Sequence, residues 1–198
     1  MYALVEDNAI TKTYNNPRGM TIGGVQYPQN IHSLWTESDL NAIGIYTVVY
    51  DDTNKKDEEW YINTNQTLTF AGGKVTATYG TATARAIADR NATDEDGVEL
   101  NPIQVIKGLK TIKKRIIDNQ CAGLLAPSDW MVIRATETGA TLDSGWKTWR
   151  ASVRTKCNSM QTQIDNASDV DALAALFTYT EQGDGSVTRP LGQFPEKE

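Results

Sequence analysis

Residues 67–80 read TLTFAGGKVTATYG, and their period decides how the first part of the chain folds. Leu68 and Phe70 alternate with threonines up to Gly72 and Gly73, and Val75, Ala77 and Tyr79 alternate after them. A period of two puts the apolar residues on one face of a pleated ribbon, and a Gly-Gly pair supplies the positive φ that a two-residue hairpin turn requires. The stretch predicts a β-hairpin. Toward the N-terminus, YALVED (2–7) and GIYTVVYDD (44–52) are β-branched and aromatic runs suited to strands. Between them TESDLNAIG (36–44) offers a capping Thr36, an acidic first turn and a closing glycine, the signature of one short helix.

Beyond Gly80 the composition changes. The segment 81–97, TATARAIADRNATDEDG, is rich in Ala and Thr and ends in acids, which predicts a short helix and then a polar hinge over 81–100. From Asn101 the period becomes helical. Asn101 can cap, Pro102 suits the first helical position, and Val105, Leu109, Ile112 and Ile116 follow at steps of 4, 3 and 4. A second helix begins at Ser128, a capping candidate, with Trp130, Ile133 and Arg134 on neighbouring turns and Gly139 as its stop. A longer third starts near Asp143 and aligns Trp146, Trp149, Val153, Cys157, Met160 and Ile164 in one stripe. Ser168 caps a last one, DVDALAALF (169–177), and 181–198 reads as an extended tail. The expected architecture is α+β: a small β-rich module over 1–80, built as a hairpin-containing antiparallel sheet, then the hinge, then a helical module of three to four helices over 101–180.

The totals bound the function. A chain of 198 residues with net charge −6 is an unfavourable partner for nucleic acid or anionic lipid, because both need a positive surface. No window approaches the roughly 18 to 20 apolar residues of a membrane span, and MYALVEDNAI has no basic stretch followed by an apolar run, so no secretory signal is expected. Cys121 and Cys157 lack a CxxC pattern and read as a reduced cytosolic pair. The single histidine, His32, reads as a structural residue in a loop, and with it no His-based triad or multi-histidine metal site can be assembled. The Gly pairs at 23 and 72 lack a phosphate-loop context and read as turns. The calcium-loop resemblance around Gly97 fails at both ends, where Ala92 and Ile103 stand at ligand positions. No catalytic residue, cofactor site or metal site is expected, and the chain reads as a non-enzyme.

Three of the five tryptophans, Trp130, Trp146 and Trp149, fall within 127–154. Each can remove about 150 to 250 Å² from water, so the first expectation is that all three are interior pegs of the helical module. The rival reading is an exposed aromatic patch for a partner. Arg150 and Arg154, beside Trp149, are expected to pair with Asp143 or Glu137 or to stack on indoles. Lys107, Lys110, Lys113, Lys114 and Arg115 form either a solvated face or a docking face for an acidic protein surface.

The order LLAPSDWMVIRATETG, a short loop, WKTWRASVR and then PLGQFPE resembles the C-terminal half of bacteriophage tail fibre assembly proteins, the tail fibre chaperone family. Ser128, Asp129 and Trp130 match its Ser-Asp-Trp helix. Trp146, Trp149, Arg150 and Arg154 match its Trp and Arg helix, with Trp149 in place of the commoner tyrosine and Val153 in place of leucine. MYALVEDNAI and YPQNIHSLWTESDLNAIGIYTV are also similar to the N-terminal module of many such proteins. Residues 51–100 lie outside the resemblance. It implies a non-catalytic protein that binds a tail fibre or baseplate subunit and assists fibre folding or attachment. The setting would be the host cytoplasm during assembly, with a permanent place in the virion tail as the alternative. No cofactor, nucleic acid or membrane partner is expected, and the helix carrying Val105, Leu109, Ile112 and Ile116 is the expected docking or self-association surface.

Overall fold

A computed structural model describes residues 1–197, and the chain divides into two compact units, Met1–Thr83 and Ala84–Glu198. The fold is α+β, with strands concentrated in the first unit and the long helices in the second.

The first unit is built on a five-stranded sheet of β1 (Tyr2–Glu6), β2 (Ala9–Tyr14), β5 (Ile45–Asp51), β7 (Gln66–Ala71) and β8 (Lys74–Tyr79), in the order β2-β1-β5-β8-β7. The predicted hairpin is β7–β8, with Phe70 opposite Val75 and both turn glycines at positive φ. Asp7 and Asn8 make the same kind of turn between β1 and β2, Asp and Asn being among the side chains that tolerate it best. A smaller hairpin of β3 (Met20–Ile22) and β4 (Val25–Tyr27) turns on Gly23 and Gly24. The sheet is not wholly antiparallel, since β5 and β8 run parallel. A parallel pair needs a long crossover; here residues 52–73 provide it, including the short β6 (Tyr61–Ile62) and β7 itself.

Alternation splits the core between the two faces. Ala3, Val5, Val48, Val75 and Ala77 lie on one face, where Ile10, Leu68 and Phe70 close over them as the edge strands β2 and β7 approach each other. Leu4, Tyr14 and Ile45 face the other way, under Ile31 of α1 (Ile31–Leu34) and Leu40 of α2 (Glu37–Ala42). Thr36 and Asp39 form a reciprocal capping box on α2. Gly44 then turns the chain into β5 at φ +84, and a Cβ there would meet the Val5 carbonyl oxygen at 2.4 Å. His32 lies in α1 rather than in a loop, 4.7 Å from the Tyr2 ring and 5.8 Å from Tyr14. Both its nitrogens and the Tyr14 hydroxyl are buried without a hydrogen-bond partner among the described residues. Burial first, and the Tyr2 hydroxyl second, push the Tyr14 phenol up to about 12.

After β9 (Thr83–Ala84) the second unit opens with irregular chain where a short helix was expected. Within it β10 (Arg90–Asn91) pairs with β11 (Val105–Ile106). The next helix, α3 (Leu109–Leu125), starts eight residues after Asn101 instead of at it. Its N-cap, Gly108, has no side chain to satisfy the free N–H groups of a first turn, so the segment 86–89 does so instead. Asp89 accepts from the Gly108 N–H at 2.8 Å, and the Leu109 and Lys110 N–H groups donate to the carbonyls of Ala86 and Ile87. The approach is so close that a Cβ on Gly108 would lie 2.4 Å from Ala88 backbone atoms. The Gly108 N–H, then Lys107 and Thr111, hold the Asp89 carboxyl down at about 2.

The buried stripe of α3 is Leu109, Lys113, Ile117 and Cys121. It packs on α5 (Ser144–Asn166), whose buried residues are Arg150, Val153, Cys157, Met160 and Ile164. Asp143 caps α5 by accepting from the Trp146 N–H. The helix α6 (Val170–Phe177), capped by Asp169 rather than Ser168, adds Val170 and Leu173. Cys121 and Cys157 are free and buried. Burial and the neighbouring Cys121 raise the Cys157 thiol to about 11, so it is protonated at neutral pH. The tail is more than an extended strand. It forms a hairpin of β12 (Thr180–Glu181) and β13 (Val187–Thr188), and then Leu191 is wholly buried, its N–H donating to Leu176.

Candidate protein-binding surface

The α3–α5 pairing positions the site. A short 3-10 turn at Ala126–Ser128 ends α3 and redirects the chain into α4 (Asp129–Thr138), which Gly139 closes at φ 69. Arg150 of α5 reaches under this corner and is only 4% exposed. Its guanidinium donates to the Leu125 carbonyl at 2.8 Å, to the Ser128 hydroxyl, and to the Asp129 carboxylate at 2.6 Å. The Ser128 hydroxyl also donates to Leu125, so it is a fully buried bridge and does not cap α4. One planar fork thereby satisfies a carbonyl left over at the end of α3 and neutralises the acid that begins α4. These are partners other than the Asp143 and Glu137 expected for Arg150, because the α3–α4 turn, and not the start of α5, passes over the guanidinium. Arg154, one turn on, is exposed.

The helix α4 has no buried residue of its own. Trp130 is 54% exposed and Ile133 57%, so the expectation that Trp130 is an interior peg is overturned. Trp146 and Trp149 are half-buried: their rings meet edge to face at 5.6 Å, and the Trp149 indole N–H donates to the Pro195 carbonyl at 3.0 Å. Together α4, the linker 140–143 and the start of α5 enclose an open groove of about 420 Å³, lined by Trp130, Met131, Arg134, Leu142 and Trp146 among others. The tail borders it, with the Lys197 ammonium 5.2 Å from the Trp146 ring centre.

The helix expected to dock or self-associate is corrected in its first turn and on its outer face. Val105 stands in β11 and is exposed, Ile116 is exposed on α3, Ile112 is half-buried, and Leu109 is buried in the unit's own core. The basic run is also spent internally in part. Lys110 and Lys114 reach Asp165 at the C-terminal end of α5, where the helix dipole favours cations. Lys113 is buried with its ammonium 4.8 Å from the Phe177 ring centre.

Sequence reasoning singled out Trp130, Trp146, Trp149 and Arg150, and all four border this corner of the unit. It missed Asp129 as the partner of Arg150, Leu142 and Met131 in the groove, and the tail residues Pro195 and Lys197. The Asp directly before Trp130 was the available signal for the first; nothing local announces the tail. Among the described residues no group of His, Cys, Asp and Glu could hold a metal ion, and no helix is long and apolar enough to cross a membrane. Comparison with family models, with curated proteins and with solved structures finds no match to this chain.

Proposed function

We propose that the chain is a non-catalytic bacteriophage tail protein that binds a tail fibre or baseplate subunit and assists fibre folding or attachment. The observation that carries the reading is α4: a ten-residue helix with a tryptophan and an isoleucine facing solvent, anchored by a buried arginine that donates to Leu125, Ser128 and Asp129. Exposed aromatic side chains on a fixed scaffold are the usual anchors of protein recognition. The resemblance to tail fibre assembly proteins supports the choice of partner, since Ser128, Asp129, Trp130, Trp149 and Arg150, which carry it, belong to this corner or to its support. Fibre trimers fold slowly and expose β surface meanwhile, so a small holding protein has a physical task.

Copurification tests the proposal. The tagged full chain, coexpressed with the tail fibre protein of its own phage, should retain that protein through affinity and size-exclusion steps. A Trp130→Ala, Ile133→Ala double variant with an unchanged circular dichroism spectrum should lose it. Failure of the wild-type chain to retain fibre or baseplate protein sinks the reading. Mass spectrometry of purified virions then separates a transient assembly factor, absent from particles, from a permanent tail component present at fixed stoichiometry.

A further inference from the structure

We propose that the groove between α4 and the start of α5 receives an apolar side chain from a partner segment whose flanking residues are acidic. The inference rests on the protein-binding reading above and gives that partner a chemistry.

Three features of the groove point to this occupant. Its walls are the apolar surfaces of Trp130, Met131, Leu142 and Trp146, and its volume of about 420 Å³ is ample for a bulky side chain. Its charged border is mainly positive. Arg134 lines it, is exposed, and has no ion-pair partner among the described residues. Lys197 lies over Trp146. The one carboxylate in the lining, Asp143, already accepts the Trp146 N–H as the cap of α5. A segment with basic flanks would meet Arg134 at close range and be repelled, whereas a carboxylate beside an inserted apolar side chain would be drawn to it. Nucleic acid fits poorly, because the cations border a pocket and do not follow a continuous track with interleaved aromatic platforms. The Arg150 latch adds preorganisation, since a face held rigid before binding loses less freedom when the partner arrives.

The experiment uses the full-length protein and two synthetic ten-residue peptides with a central Leu-Phe pair, one flanked by Asp and Glu and the other by Lys. The readout is the set of indole N–H signals in a nitrogen-labelled NMR spectrum, with Trp130 and Trp146 assigned through single Trp→Phe variants. The acidic peptide should move both signals saturably, the lysine peptide should leave them in place, and Arg134→Glu should weaken binding of the acidic peptide at least tenfold. Equal response to the two peptides, response confined to other tryptophans, or indifference to Arg134→Glu overturns the proposal. So does movement of the same signals on concentrating the protein alone, which makes a second copy the occupant. Neither peptide contains fibre sequence, so this result is independent of whether fibre copurifies; loss of the fibre interaction alone would remove the tail assignment and leave the groove's preference standing.

Discussion

Helices α4 and α5 begin alike and end in opposite places. Each sets a tryptophan in its first turn, Trp130 in one and Trp146 in the other, and each has apolar residues at helical spacing. Yet α5 buries five side chains against its neighbours while α4 buries none. The difference is supply of partners, not local pattern. Along its length α5 meets α3, α6 and the tail, so its stripe is covered from both sides. The shorter α4 departs at a corner and touches the rest of the unit mainly through the turn before it and the Arg150 fork. Amphipathicity therefore names the face that can be buried, and only the arrangement of neighbours determines whether it is.

The largest effect should come from α5. Met160 is wholly buried, so Met160→Ala should cost about 2 to 5 kcal/mol in chemical denaturation. A loss below about 1 kcal/mol would mean that the α3–α5 interface is not the core of the unit. Next comes the link between the two helices. Arg150→Met removes the hydrogen bonds to Leu125, Ser128 and Asp129, the last of them to a charged group, and their loss should cost about 1 to 3 kcal/mol. Hydrogen exchange should rise through α4 and stay low in the middle of α5. Arg150→Lys should rescue little, because an ammonium cannot reproduce the planar fork.

A smaller effect should appear at the far end of α3. Asp89 is held at about 2, below its ordinary 3.8, so it stabilises the folded state above the ordinary value, and that contribution fades as pH falls from about 4 through about 2. The thermal midpoints of wild type and Asp89→Asn should differ at pH 7 and converge by pH 2. A gap of constant size across that window would exclude Asp89 as the charged cap of the helix. Smallest of all should be Trp130→Ala. As an exposed position it should change stability by no more than about 0.5 kcal/mol, where an interior indole would cost about 3 to 5. A large loss would return Trp130 to the core and dissolve the contrast between α4 and α5.

Much of this molecule is legible along the chain. The Gly72-Gly73 hairpin, the Thr36 capping box, the Asp143 cap and the Val153, Cys157, Met160, Ile164 stripe all follow from spacing within a dozen or so residues. These features hold because turn dihedrals, capping bonds and the 3.6-residue period are settled by neighbours in sequence. The helix placed at Asn101 shows where such reasoning stops. Pro102 and Val105 satisfy a helical pattern, but β11 pairs with β10, fourteen or so positions upstream, and the donors of the first turn of α3 find carbonyls only in 86–89. The tail gave still less warning, since a single leucine after a proline, Leu191, becomes wholly buried only because α6 stands beside it.

From its own residues the chain determined two things: strands before the middle, helices after it, and the faces on which their apolar side chains fall. Tertiary structure alone decided that β5 and β8 lie parallel, that Arg150 closes the α3–α4 corner, and that Trp130 faces water while Met160 does not. The reason is one of range. Periodicity acts over a few residues, whereas covering a face or pairing a buried charge depends on segments tens of residues apart meeting at one place.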